Sequence, residues 1–198
     1  MQLLRPALLP LTATLALAAG LAQAQDAYPT KPVRFVAPYP PGGSSDVLAR
    51  VLAQKLAESL GRQVIVENRP GAAGNIGHEI VAKLPADGYT LLLTTKSQMV
   101  NNQYLYKKLV FDPLTDFTHI TLIAYAGHAL VVHPAVPARS VKELIALARR
   151  QPGKLSYGSA GLGSTVNIVA EVFKSMEGLD IVHVPYKGAV LAVADVVG

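Results

Sequence analysis

The chain has 198 residues, a net charge of +5 and no cysteine. The missing cysteines exclude disulfides, thiol nucleophiles and thiolate metal ligands. The basic residues are scattered, only Lys107-Lys108 and Arg149-Arg150 being adjacent. This excludes the clustered basic stripe that nucleic-acid binding uses, while a mild positive balance suits a small anionic ligand.

The N-terminus reads as an export leader. Arg5 is followed by an apolar stretch from Ala7 to Leu21, interrupted by Pro10 and Gly20, and then by Ala22-Gln23-Ala24. That is an A-x-A cleavage pattern, which predicts a signal peptide over residues 1–24, cleavage after Ala24 and an exported mature chain. No later segment has the roughly 18 uninterrupted apolar residues of a membrane span.

Val33 to Ala37 predicts the first strand. Pro38-Tyr39-Pro40-Pro41-Gly42-Gly43-Ser44-Ser45-Asp46 then forms a glycine-rich loop into a helix over 46–60. In that helix Leu48, Leu52, Leu56 and Leu60 recur at i, i+4 spacing, with Val47 and Val51 beside them. Ser44 or Ser45 is placed to cap its start and Gly61 to end it. A strand follows over 63–67, then the turn Asn68-Arg69-Pro70-Gly71, a short helix over 76–84 and a strand over 89–95. Such β-α-β-α-β order predicts a parallel sheet covered by helices. Residues 107–117 are less regular, and 120–123 and 129–132 are expected to be two further strands.

Ser140-Val141-Lys142-Glu143 is a capping box that opens a helix ending at Arg150 before Pro152-Gly153. A short strand over 155–157 leads into the second glycine-rich loop, Tyr157-Gly158-Ser159-Ala160-Gly161-Leu162-Gly163-Ser164-Thr165. The helix over 164–176 is predicted to turn Val166, Val169, Val172, Phe173 and Met176 inward. A strand over 181–184 and a helix over 189–197 complete the chain.

Two glycine loops at strand-to-helix junctions are the candidate site. Each bares N–H groups at a helix start, where the macrodipole is positive, and ligands of open α/β sheets sit at the carboxyl ends of strands. Either loop alone is also compatible with a plain turn. Asp46 is read mainly as a partner of its own helix, with a ligand contact as the alternative. Asn167 is placed one turn into the second helix, facing the cleft or solvent. Tyr39 and Tyr186 either wall an apolar part of the site or belong to the core.

Other chemistries fit poorly. Ser159 lacks the glycine two residues before it that the nucleophile elbow G-x-S-x-G requires. No Gly-Lys-Ser/Thr follows the glycines, and Val166 stands where the dinucleotide fingerprint needs glycine or alanine. His78-Glu79 begins a zincin pattern that Ala82 breaks. His119, His128, His133 and His183 are scattered. No catalytic residue, metal or cofactor is therefore expected, although an exported serine hydrolase-like or transferase-like enzyme using Ser159 or Ser164 is the competing reading.

Five blocks carry a family resemblance. They are Pro40-Pro41-Gly42-Gly43-Ser44-Ser45-Asp46 with Ala49-Arg50, Val66 through Gly74, Pro85 through Leu91, Gly158-Ser159-Ala160-Gly161 and His183-Val184-Pro185-Tyr186-Lys187-Gly188. The chain resembles the solute-binding proteins of tripartite tricarboxylate transporters, also called the Bug family. The resemblance implies a type II periplasmic-binding-protein fold, with two α/β domains clamping a carboxylate, and membrane transporter subunits as partners of a monomer. Carried over position by position, it implies that Tyr39, Gly42, Gly43, Ser44 and Asp46 of the first loop bind ligand. It adds Thr95 at the third strand's end and Ser159, Gly161, Ser164 and Thr165 of the second loop. The domains are then 25–122 and 123–198, the second incomplete. Family members run on past this point, so the chain is expected to be truncated, lacking the return to the first domain. Asn167 stands where many members have histidine. Delivery to a signalling kinase instead of a transporter is the remaining alternative.

Overall fold

The computed structural model describes residues 28–198. The predicted leader and its cleavage site lie outside these residues. Residues 31–198 form one compact unit, and residues 28–30 belong to a separate N-terminal unit.

Two parallel sheets organise the larger unit. The first has the order β2-β1-β3, from strands β1 (Val33–Ala37), β2 (Val64–Asn68) and β3 (Thr90–Leu92). Val33 pairs with Val64 and Phe35 with both Val66 and Leu91. A central parallel strand is covered on both faces, and Val33, Phe35, Val36 and Ala37 are all buried. The outlier, Arg34, forms a bidentate ion pair with Glu67 (2.8 and 3.0 Å). That pair and Arg69 hold the Glu67 carboxyl down to about 2.

Helix α1 (Ser44–Leu60) packs on this sheet through Ala49 and Ala53, with Leu48 and Leu52 beside them. Val47 and Val51, expected at this interface, are exposed. At 3.6 residues per turn they fall on the arc opposite Ala49 and Ala53, so the leucine stripe sets the buried face. The cap also differs from expectation: Gly43 is the N-cap residue, and neither Ser44 nor Ser45 caps the helix. Gly61 ends it in the left-handed conformation, as the sequence predicts. Helix α2 (Asn75–Ala82) follows β2, and a π-helical turn (Ser97–Asn101) runs into the short helix α3 (Asn102–Leu105) after β3.

Between Tyr106 and Ser140 the described chain forms no helix or strand. The two strands expected at 120–123 and 129–132 are absent, and Ile120, Leu122, Leu130 and Val131 are exposed. A strand needs a hydrogen-bonding neighbour, and no strand pairs with either segment among the described residues. The expected boundary between residues 122 and 123 falls in this stretch.

The second sheet pairs β4 (Ser156–Ser159) with β5 (Val182–Pro185). Helix α4 (Val141–Arg150) carries the predicted capping box. Ser140 accepts from the Glu143 N–H, and Glu143 accepts from the Arg139 N–H instead of that of Ser140. Helix α5 (Thr165–Glu177) contributes Phe173 to a small core with Ala148, Leu179 and Ile181. Val169, Val172 and Met176 are exposed, against expectation. Two strands cover only a narrow arc of one helix, and these three side chains lie beyond it. Helix α6 (Ala189–Val197) ends the described chain.

Candidate functional site

The two glycine loops are built alike. β1 ends at Ala37 and β4 at Ser159, and each chain then turns through a glycine of positive φ into a helix: Gly42 (+83°) and Gly163 (+81°). The following residue is the N-cap, Gly43 or Ser164. Three residues after the cap, a side chain reaches back and accepts the glycine N–H. Asp46 accepts from Gly42 (3.0 Å) and Asn167 from Gly163 (2.9 Å). Each bond satisfies the N–H of the residue just before the cap, and the loops are fixed from behind.

Asp46 is buried and engaged at both oxygens, by Gly42, by Arg50 and by the Asn68 amide (2.9 Å). These donors, Arg50 foremost, hold its carboxyl down to about 2. Asn167 is buried too, facing neither solvent nor an open cleft, and donates to the Tyr157 hydroxyl at 2.7 Å. Gly43 has no side chain with which to cap α1, so no side chain caps the positive end of that helix.

A third segment joins the loops. Ala72 and Ala73 have φ of +47° and +52° between the positive-φ glycines Gly71 and Gly74. Left-handed alanines cost roughly 1–3 kcal/mol each and persist only where their surroundings impose them. Gln98, fully buried, donates to the Ala73 carbonyl and to the Tyr39 hydroxyl (2.7 Å), and accepts from the Thr95 hydroxyl (2.6 Å). His78, also fully buried, lies 2.9 Å from the Gly74 carbonyl and 2.6 Å from the Thr94 hydroxyl. The carbonyl accepts only, so Nδ1 carries the proton and Nε2 accepts from Thr94. Burial against Phe111 and Phe117 pushes the imidazole down to about 4, so it is neutral at pH 7.

These segments meet. The hydroxyls of Ser97 and Thr165 are 2.8 Å apart, and Tyr106 donates to the Leu162 carbonyl at 2.8 Å. Asn102 sits with its amide nitrogen toward the carbonyls of Ser97 (3.3 Å) and Gly163 (3.2 Å). Gly163 has no room for a side chain: a Cβ there would lie 2.6 Å from the Asn102 side-chain amide. A Cβ on Gly161 would lie 3.8 Å from the Ala73 nitrogen, and one on Gly43 would lie 3.7 Å from Val190. Among the described residues no hydrogen bond joins the first loop directly to the second. They are bridged by Tyr39, Gln98 and Ala73 on one side and by the start of α6 on the other.

Every residue expected at the site therefore has a place. Tyr39 and Thr95 share Gln98; Gly42 and Asp46 brace the first loop; Gly43 and Ser44 open α1. Ser164 caps α5 through the Asn167 N–H (3.3 Å), and Thr165 meets Ser97. Ser159 is buried, accepts from the Gly161 N–H (3.1 Å) and lies 2.7 Å from His183 Nε2. That distance is within reach of a serine–histidine pair, so separation does not dismiss a nucleophile. Full burial of Ser159 does count against it, as does the lack of a carboxylate bonded to His183 among the described residues.

Ser97, Gln98 and Asn102 are absent from the sequence expectation. Their i, i+1, i+5 spacing in a polar segment reads as a solvated helical stripe, whereas all three are fully buried. No group of metal-ligating side chains occurs among the described residues. Two open hollows, one around Val132 and Glu143 and one around Arg50 and Val66, share no residue with either loop.

Residues 48–198 match the tripartite tricarboxylate transporter family receptor. The chain belongs to this family. Protein BugT of Bordetella pertussis is 39% identical over 174 residues, covering 87% of this chain and 53% of its own length. Among solved structures, Rpa4515 of R. palustris, determined with adipate, superposes with a TM-score of 0.83 at 41% identity over 85% of this chain and 56% of that one. MatC of Rhodopseudomonas palustris, with bound malate, gives a TM-score of 0.75 at 25% identity over 85% of this chain and 57% of that one. The fold is thus that of the periplasmic binding proteins, as the family resemblance implies. The chain spans about half the length of the curated relatives it matches.

Proposed function

We propose that the protein is a periplasmic receptor that captures a small carboxylate and presents it to a tripartite membrane transporter, without catalysing a reaction. The observation that carries this reading is the pair of loops, each fixed from behind by Asp46 or Asn167 and each opening a helix. The relatives solved with adipate and malate supply the ligand class. In this reading the carboxylate lies where the loops converge. Backbone donors at Gly43 and Ser44 grip it from one side and that of Thr165 from the other, with the Ser44 hydroxyl adding a donor and Gly161 shaping the second loop. Tyr39 and Thr95 form the wall that Gln98 braces. Asp46, Ser159 and Ser164 serve by holding the loops. Each charge-assisted hydrogen bond contributes about 1.5–3 kcal/mol. The loops are packed together, so entry requires the two halves to part and then close on the ligand.

Titration calorimetry with adipate, malate and a panel of aromatic acids tests this. The expected result is saturable heat for at least one dicarboxylate. No heat and no thermal shift across the panel would overturn it. Turnover of an ester substrate that disappears in Ser159→Ala would instead support the hydrolase reading.

A further inference from the structure

Tyr157 and His183 are register partners on β4 and β5, and their rings stack with centroids 4.8 Å apart. The stack aims His183 Nε2 at the Ser159 hydroxyl, 2.7 Å away. Ser159 accepts from the Gly161 N–H and lies 3.2 Å from the Gly161 carbonyl. That same carbonyl accepts from the N–H of Ser164, the α5 cap, at 3.1 Å. A continuous path therefore runs from an imidazole behind the sheet to the mouth of the second loop.

We propose that His183 is a positioning residue for the second loop: its imidazole sets the direction of the Ser159 hydroxyl and, through it, the hydrogen bonding of the Gly161 peptide. Two arrangements differ by one proton on the ring. With neutral imidazole protonated at Nδ1, Nε2 accepts the Ser159 proton and Ser159 Oγ accepts the Gly161 N–H. With imidazolium, Nε2–H donates to Oγ, so the hydroxyl proton turns to the Gly161 carbonyl, which already serves Ser164. Gly161, at φ +105°, is where such a change alters the loop.

The charged groups around His183 leave it responsive. Burial lowers its basicity, Glu171 on α5 opposes this, and Lys174 on the same helix adds to it. Glu171 is itself engaged by the Tyr157 hydroxyl (2.5 Å) and by Lys174 (2.9 Å). On the α6 side, Asp195 is bonded by Tyr186. His183 thus has no carboxylate of its own.

The test is an NMR titration of the full chain without ligand, following the His183 ring and the Gly161 amide from pH 8 to pH 5. The Gly161 amide is expected to move with the same midpoint as the imidazole. In Ser159→Ala the imidazole should still titrate while Gly161 stays flat. In His183→Gln, which remains informative should Ser159→Ala fail to fold, Gly161 should also stay flat. A Gly161 amide that ignores His183 in the wild type, or that still shifts with that midpoint in either variant, would overturn the proposal. The consequence for binding rests on the carboxylate-receptor reading: a bound anion favours imidazolium, so adipate affinity should rise about fivefold as pH falls through the midpoint, and not in His183→Gln. Absence of adipate and malate heat at every pH would count against the receptor reading alone, because the relay is judged on the ligand-free titration.

Discussion

Replacing Asp46 by asparagine removes a charge while keeping the shape that braces the first loop. The folded environment lowers this carboxyl from 3.8 to about 2 through Arg50, the Gly42 N–H and Asn68. At about 1.4 kcal/mol per pKa unit, the charged form is favoured by roughly 2 kcal/mol. The Arg50 side chain is 55% exposed, so solvent screening reduces its share and the expected loss in Asp46→Asn is about 1–2 kcal/mol. The sign follows from the depressed folded value. The contribution is complete above pH 3.8 and disappears as pH falls toward 2. Urea unfolding at pH 7 should show the full loss, and the wild-type and variant curves should converge as pH falls through 3. A loss below about 0.5 kcal/mol at pH 7, or one unchanged at pH 3, would refute the bracing role.

Two glycines of nearly equal φ should respond differently. Gly42→Ala meets no atom within 4 Å, so it should cost only conformational strain, about 1 kcal/mol, whereas Gly163→Ala collides with Asn102 and should cost at least about 2 kcal/mol more by thermal or urea unfolding. His78 is held near 4 by burial against an ordinary value of 6.5, so its neutral form stabilises the fold fully above pH 6.5. That contribution should fall away between pH 6.5 and 4, by up to about 3 kcal/mol, and this part of the acid dependence should vanish in His78→Gln. Removing Gln98, which locks the Ala73 carbonyl and Tyr39, should free the strained segment: Gln98→Ala should raise amide exchange across residues 71–74 and weaken carboxylate binding at least tenfold by calorimetry.

The parallel sheet, its covering helices and both glycine loops were legible because they rest on local signals. Glycine–cap–helix junctions need particular residues at particular spacings, and the leucine stripe of α1 and the capping box of α4 follow the same logic. Legibility failed where burial depends on distant partners. Val47 and Val51 are apolar yet exposed, and Val169, Val172 and Met176 lie beyond the arc that two strands cover. The apolar runs at 120–123 and 129–132 have strand composition but no pairing neighbour. Conversely, Ser97, Gln98 and Asn102 are polar and fully buried, because the Thr165 hydroxyl, the Ala73 carbonyl and the Gly163 carbonyl respectively offer them partners. A buried amide partner of this kind leaves no periodic trace in a sequence.

The central claim is that two helix starts hold one carboxylate from opposite sides. It is tested most directly by amide chemical-shift mapping of the protein while adipate, malate or the acid found by calorimetry is added. The account predicts that the Gly43 and Ser44 amides of the first loop and the Gly161 and Thr165 amides of the second shift together, saturating at one common dissociation constant. Shifts confined to one loop, or to the hollow around Val132 and Glu143, would contradict it.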